Sequence, residues 1–258
     1  LGSAPLFFII FARVFAFLQT APLTSSSSLP AMARVGLGGF TVVAILPMVR
    51  ELNYVIPDQG LGFALLLLGE ILTGILLGFI IVLVYSSFQM AGQFFSVQMG
   101  FGASQVFDPL AQIEIPLLGQ LMNMMAMFVF ISIDGFQRLF LYGIYSTFRV
   151  FKASDLLIQT TTLSDILIKG LSGLFSKGLI LSIPILGTLL LVTITTGLMA
   201  KAAPQMNLLM IGFPISITIG FVMMILTMPY LIDGFSAVVD EGFYIIEQLI
   251  SGIGSVST

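Results

Sequence analysis

The sequence predicts an all-α membrane protein. Of its 258 residues, 58% are hydrophobic and only 8% are charged, against roughly 25% charged in a soluble domain. Nine Lys and Arg with twelve Asp and Glu cannot coat a water-soluble globule of this size. The apolar residues fall in long runs separated by short polar breaks, the pattern of membrane helices rather than strands. Other classes recede on the same counts. The net charge of −3 leaves no basic surface for nucleic acid. With no Cys and no His, disulfides, thiol catalysis, most zinc chemistry and every His-activated nucleophile are excluded. No cofactor is expected. Segment 4–22 is apolar but lacks the flanks of a cleavable signal peptide.

The first run extends from Pro5 to Ala21 and contains Arg13. The Ser-rich stretch from Pro22 to Pro30 is a turn cluster. A second run covers Val35 to Val49, closed by Arg50-Glu51 and a loop with Asn53, Pro57, Asp58 and Gly60. A third stays helix-compatible from Leu61 to about Met99, and a fourth spans about Ile115 to Val150. The third, as one helix, would rise about 58 Å at 1.5 Å per residue, twice a hydrocarbon core. Either it kinks, with Ser86-Ser87 and Gly92 as places to do so, or it projects beyond the membrane plane. A polar connector occupies 151–173. A hairpin of two apolar helices follows over 174–232, turning at Lys201-Ala202-Ala203-Pro204-Gln205-Met206-Asn207. In the tail, 233–258, Phe243, Ile246, Leu249, Ile250 and Ile253 share a helix face opposite Glu247 and Gln248.

Charges inside apolar runs carry the most information. A lone charge facing lipid costs on the order of 3 kcal/mol, so Arg13, Glu70, Asp134, Arg138 and Lys201 must face protein or water. For Arg13 and Lys201 a helix-end position suffices. Glu70 lies deep in its run beside the small-residue pair Gly74 and Gly78, which admits a close helix, so burial against a partner subunit is expected. Basic residues fall in alternating loops (Arg34, Arg50, Arg149 with Lys152, Lys169 with Lys177), so the positive-inside count is nearly balanced.

Three constellations stand out. The Gly-rich segment Met99-Gly100-Phe101-Gly102 leads through Val106-Phe107 to Asp108-Pro109. An ordinary interhelical loop would look like this; so would a plug whose apolar bulk seals a pore. Ile-Asp-Gly-Phe occurs at 133–136 and again at 232–235. Two aspartates raise an intramembrane aspartyl protease, but its Gly-x-Gly-Asp pattern is missing, and Asp233-Gly234 reads as a helix stop. The third is the polar turn at 201–207 with Gly212-Phe213-Pro214 after it.

In this order the motifs resemble the FliR family of the flagellar type III export gate, over nearly the whole chain. The resemblance rests on Arg13 with Pro22, on Pro30, Arg34 and Gly36, and on Glu70 with Gly74 and Gly78. It continues through Gln93, Gly100 and Asp108-Pro109 to Asp134-Gly135, Lys201-x-x-Pro204-Gln205-x-Asn207 and Gly212-Phe213-Pro214. Two positions depart from the family pattern. Phe136 stands where His is common, and Lys201 where Arg is common, which keeps the charge and loses the bidentate fork. The resemblance implies a FliP-like helical part over 1–150 fused to a FliQ-like hairpin, in a pore-forming hetero-oligomer with FliP and FliQ homologues. FlhB and FlhA homologues would lie nearby, lipid at the periphery, and unfolded flagellar proteins would be the cargo. The implied place is the bacterial inner membrane within the basal body, raised largely to the periplasmic side. The implied plug is Gly100, Phe101, Gly102, Val106, Phe107, Asp108 and Pro109. The implied buried polar or subunit-interface set is Arg13, Glu70, Gln93, Asp134, Lys201, Pro204, Gln205 and Asn207. Two rivals stay open: the virulence injectisome counterpart, and a small-solute secondary transporter with Glu70 and Asp134 as proton sites.

Overall fold

The computed structural model describes residues 3–25, 30–52, 54, 56–57, 60–101, 117–150, 160–203, 205 and 208–254. Among them there is no strand. In chain order the helices are α1 (Ser3–Thr20), the single turn α2 (Pro22–Ser25), α3 (Ala31–Arg50), α4 (Gly60–Met99), α5 (Leu117–Ser132), α6 (Gly135–Arg138), a π-helical stretch π1 (Leu139–Tyr145), α7 (Ser146–Val150), α8 (Thr160–Ala202), α9 (Leu208–Leu226) and α10 (Met228–Gly254). Among the described residues, α3, α4 and Leu167–Ala202 of α8 are each long and apolar enough to cross a membrane, and two bent helix pairs pass the same test. The protein is thus an all-α membrane protein.

Where helices stop settles two readings that the sequence left open and differs from two expectations, each with a physical reason. Helix α4 runs unbroken for 40 residues, through Ser86-Ser87 and Gly92. It has no internal Pro, and Gly74, Gly78 and Gly92 within it meet neighbouring helices closely. The run predicted over 115–150 does break, at Ile133-Asp134. Asp134 is left-handed (φ 55°, ψ 34°), a conformation Asp tolerates better than most residues. Gly135 follows because a Cβ there would lie 2.6 Å from the Phe130 carbonyl oxygen. Asp233-Gly234, expected to stop a helix, lies inside α10. The break falls instead at Thr227, where α9 and α10 meet at 65°. Pro229, second in α10, lacks the N–H that would continue α9, and a first turn tolerates that loss. Finally, residues 160–173, read as polar connector, are the first turns of the 43-residue α8.

The chain divides into two compact units interleaved in sequence: Leu1–Val84 with Phe130–Ser172 and Val239–Thr258, and Tyr85–Val129 with Gly173–Val238. In the first unit Ile9, Ile10, Val14 and Phe17 of α1, Val42 of α3 and Ile80 of α4 are buried. In the second, Phe88, Phe95 and Met99 of α4, Leu118 and Met122 of α5, Leu189 of α8 and Phe235 of α10 are buried. The Phe88 and Phe235 rings pack 4.6 Å apart. Helix crossings inside each unit use glycine. In the first, Cβ atoms at Gly74 and Gly78 would lie 2.2 Å from the Arg13 carbonyl oxygen and 2.6 Å from Thr20 Cβ. In the second, a Cβ at Gly92 would lie 2.6 Å from Gly119 Cα, and one at Gly178 2.7 Å from the Ser87 carbonyl oxygen.

Candidate functional site

The polar centre of the first unit is built on Arg13 of α1 and Glu70 of α4. The Gly74 and Gly78 crossing brings these two helices into backbone contact, so side chains one turn away meet. Arg13 Nε donates to Glu70 Oε2 at 2.6 Å, and both side chains are 0% exposed. Arg13 Nη1 donates to Thr147 Oγ1 at 2.9 Å, and Thr147 in turn donates to the Ile144 carbonyl at 2.6 Å. The guanidinium lies 3.7 Å from the centre of the Phe148 ring. Tyr54, from the segment after α3, donates its hydroxyl to Glu70 Oε1 at 2.5 Å, and its ring meets Phe148 edge-on. Four segments are therefore tied through one ion pair. π1 directly precedes Thr147 and Phe148; such wide turns redirect the side chains that follow.

This corrects two expectations. Arg13 is not a helix-end charge; it is fully buried in the middle of α1. Glu70 finds its partners within its own chain rather than in another subunit. The pair needs those extra partners, because desolvating two charges costs several kcal/mol per ion, which good geometry and hydrogen bonds must offset.

The other sequence-selected residues are not drawn into this centre. Gln93, Asp134, Lys201 and Gln205 are exposed on the chain; Pro204 and Asn207 lie outside the described residues. Arg138 pairs with Asp240 at 2.7 Å, both partly exposed, a geometry worth little in stability.

Of the plug candidates, Gly100 and Phe101 are described, and Gly102, Val106, Phe107, Asp108 and Pro109 lie outside the described residues. Gly100 has φ +90°. Its N–H bonds the Val97 carbonyl at 3.1 Å, and the Phe101 N–H bonds the Ser96 carbonyl at 3.1 Å. That pair of bonds is the Schellman termination, in which the left-handed residue is normally Gly. A Cβ on Gly100 would also lie 2.3 Å from the Phe213 ring. The glycine-rich segment and Gly212-Phe213-Pro214, separate motifs in sequence, therefore meet at the end of α4.

Sequence reasoning missed Tyr54, Thr147, Phe148 and the Phe213 contact. Arg13 and Thr147 are 134 residues apart, and no local spacing links them.

Comparison with known proteins matches the sequence to a family. The profile of the bacterial export proteins, family 1, covers residues 4–242. Flagellar biosynthetic protein FliR of Bacillus subtilis (strain 168) is 30% identical over 226 residues, 87% of this chain and 86% of the relative. FliR of Borreliella burgdorferi is 29% identical over 226 residues, 86% of this chain and 82% of the relative. FliR of Escherichia coli K12 is 29% identical over 247 residues, 95% of this chain and 93% of the relative. A match over almost the whole length, through both the α1–α4 ion pair and the α4 terminus, makes this chain a member of the bacterial export proteins, family 1.

Proposed function

We propose that the chain is a non-enzymatic subunit of the flagellar type III export gate. In this reading it forms part of the pore and plug through which unfolded flagellar proteins leave the cell. The observation that carries it is the surface of α4. At 40 residues it rises about 60 Å, well beyond a hydrocarbon core of roughly 30 Å. Along its first half Leu61, Leu65, Leu68, Leu72, Ile75 and Phe79 are all exposed. Their alternating spacing of four and three is a seam that another helix fills by knobs-into-holes packing. A helix too long for lipid, carrying a helix-packing seam, fits an assembly in which protein replaces the bilayer. The names of the relatives support flagellar use.

Under this proposal FliP and FliQ homologues cover those faces, and FlhB and FlhA homologues lie nearby. The site is the bacterial inner membrane within the basal body, raised largely to the periplasmic side. Residues 1–150 act as the FliP-like part and 174–232 as the FliQ-like hairpin, whose turn with Lys201 and Gln205 exposed meets a partner. Export energy comes from partners. Glu70, which a proton-coupled carrier would use, is committed to Arg13 and Tyr54. The plug follows the α4 terminus: Gly100 turns the backbone out of the helix against Phe213, and the segment to Asp108-Pro109 supplies apolar bulk.

The test is ion leakage. Changing Phe101 and Phe107 together to Ala, or deleting 101–107, should let small solutes into cells expressing the gate while the complex still assembles. Single Ala changes should leak less. A double variant that assembles and stays tight would place the seal elsewhere.

A further inference from the structure

Within the first unit an apolar cavity of about 350 Å³ opens between α3 and π1. Leu37, Ala44, Ile45 and Met48 line one side, Phe140 and Tyr145 the other. The size is that of a small-ligand site. The facing wall carries one hydroxyl, that of Tyr145; the α3 wall has almost no free hydrogen-bonding capacity, because the Thr41 hydroxyl there is already given to the Leu37 carbonyl at 2.8 Å. An occupant must therefore be apolar where it touches this wall.

The two walls run in the same direction. Leu37 borders a smaller cavity with Phe136, Leu139 and Phe140 at one end, and Tyr54 meets Phe148 at the other. Arg50 follows Met48 by two residues at the end of α3, and Arg149 follows Tyr145 by one turn in α7, so each guanidinium stands just past the lining of its own wall. Both are exposed, and among the described residues neither makes an ion pair. Glu51 also lies there, leaving a net positive charge across these three groups. A second open cavity of about 460 Å³ is lined by Arg50 and Glu51 with Leu46 and Pro47. An uncharged slot on a helix long enough to span a bilayer, with two guanidiniums at one mouth, matches one chemistry. That chemistry is an acyl chain joined to a phosphate, since guanidinium binds phosphate oxygens in a fork and basic pockets beside membrane helices hold anionic headgroups.

We propose that the groove between α3 and π1 is a binding site for one anionic phospholipid. The acyl chain lies along Leu37 to Met48 against Phe140 and Tyr145, and the phosphate sits at Arg149 and Arg50. The proposal rests on α3 facing lipid and not on any role of the plug.

The test uses the complete assembly purified in mild detergent, incubated with phosphatidylglycerol or phosphatidylcholine and examined by native mass spectrometry. One phosphatidylglycerol should be retained per copy of this chain, in preference to phosphatidylcholine. Arg149→Gln should lower that preference about fivefold, with Arg149→Lys restoring most of it. Ala44→Phe, which fills the slot without touching either Arg, should abolish retention of both lipids while the assembly keeps its melting temperature. Equal retention by wild type and the Ala44→Phe variant would overturn the proposal, as would no retained lipid in the wild type. A second measurement does not depend on the Phe variant folding. The chain has no Cys, so Ala44→Cys carries a single benzophenone maleimide. A photo-adduct with the mass of a phospholipid supports the site, and an adduct to another polypeptide shows that protein covers the groove and refutes it.

Discussion

At the residue scale the buried pair Arg13–Glu70 makes the sharpest demand on the chain. Removing one member leaves the other charged and without its partner in a dry interior, a loss of about 3–5 kcal/mol. Replacing both by apolar residues of similar volume removes that penalty. Arg13→Ala and Glu70→Ala should each cut the yield of folded protein and lower its melting temperature strongly, whereas Arg13→Met with Glu70→Leu should recover most of the loss. A double variant as unstable as the two single losses added together would show that the pair acts independently. Tyr54→Phe should be milder, about 1.5–3 kcal/mol, the value of a hydrogen bond to a charged group. The sequence made this centre half legible. A charge deep in an apolar run must be buried, which picked out Glu70; but Arg13 read equally well as a helix-end charge, and nothing local pointed to Tyr54 or Thr147.

Gly100 has a requirement of a different kind. A side chain at φ +90° is strained, and this one would also meet the Phe213 ring at 2.3 Å. Gly100→Ala should therefore cost roughly 1–3 kcal/mol and lower export, read as swimming in soft agar. Phe213→Ala in the same chain should relieve the clash but not the backbone strain, giving partial rescue. Full activity of the single variant would show that α4 need not end there.

At the scale of elements, glycines in helices sort by what a Cβ would touch. A Cβ on Gly74 would lie 2.2 Å from the Arg13 carbonyl oxygen, so Gly74→Ala pushes the Arg13 backbone away and should disturb the ion pair one turn on. Gly187 of α8 has nothing within 4 Å. Where no other helix approaches, Gly187→Ala should stabilise by up to about 1 kcal/mol, the helix-propensity difference. Comparing the melting temperatures of complexes carrying either variant tests whether close packing, rather than helix composition, selects glycine in these helices. If Gly187→Ala destabilises the assembled complex, a partner helix approaches there.

Helix existence was legible from apolar runs; helix ends were not. The two Ile-Asp-Gly-Phe copies make the point. At 133–136 the Asp-Gly pair turns the chain, and at 232–235 the same four residues continue α10. The surroundings of the two glycines differ: Gly135 sits against the Phe130 carbonyl five residues back, whereas Gly234 sits within α10 against the Leu181 side chain of α8. The break near the second copy is set by Pro229 instead, a local signal present in the sequence. The polar residues before 174 obscured the start of α8, since Ser, Thr and Lys on a solvated helix face resemble a connector.

At the scale of the whole molecule, exposed apolar residues extend over α3, α4, α5, α8 and α9, among them Phe40, Leu61, Met124, Leu191 and Ile225. Surfaces of that kind must be covered by lipid or by protein. The exposed polar turn points the same way. Lys201 sits in the last turn of α8, where a cation complements the helix carbonyls or a partner carboxylate. Lys201→Ala should reduce swimming and Lys201→Arg should preserve it; equal swimming in both would show the charge to be incidental.

Whether this chain is one subunit of a multi-helix export gate shows in what accompanies it out of the membrane. The chain would be tagged at its own locus, extracted in mild detergent, and the mass of the intact particle measured. One uniform complex containing FliP and FliQ homologues in fixed proportion is expected, with the chain alone heterogeneous once those genes are removed. A well-behaved monomer with a single melting transition and no co-purifying subunits would contradict it.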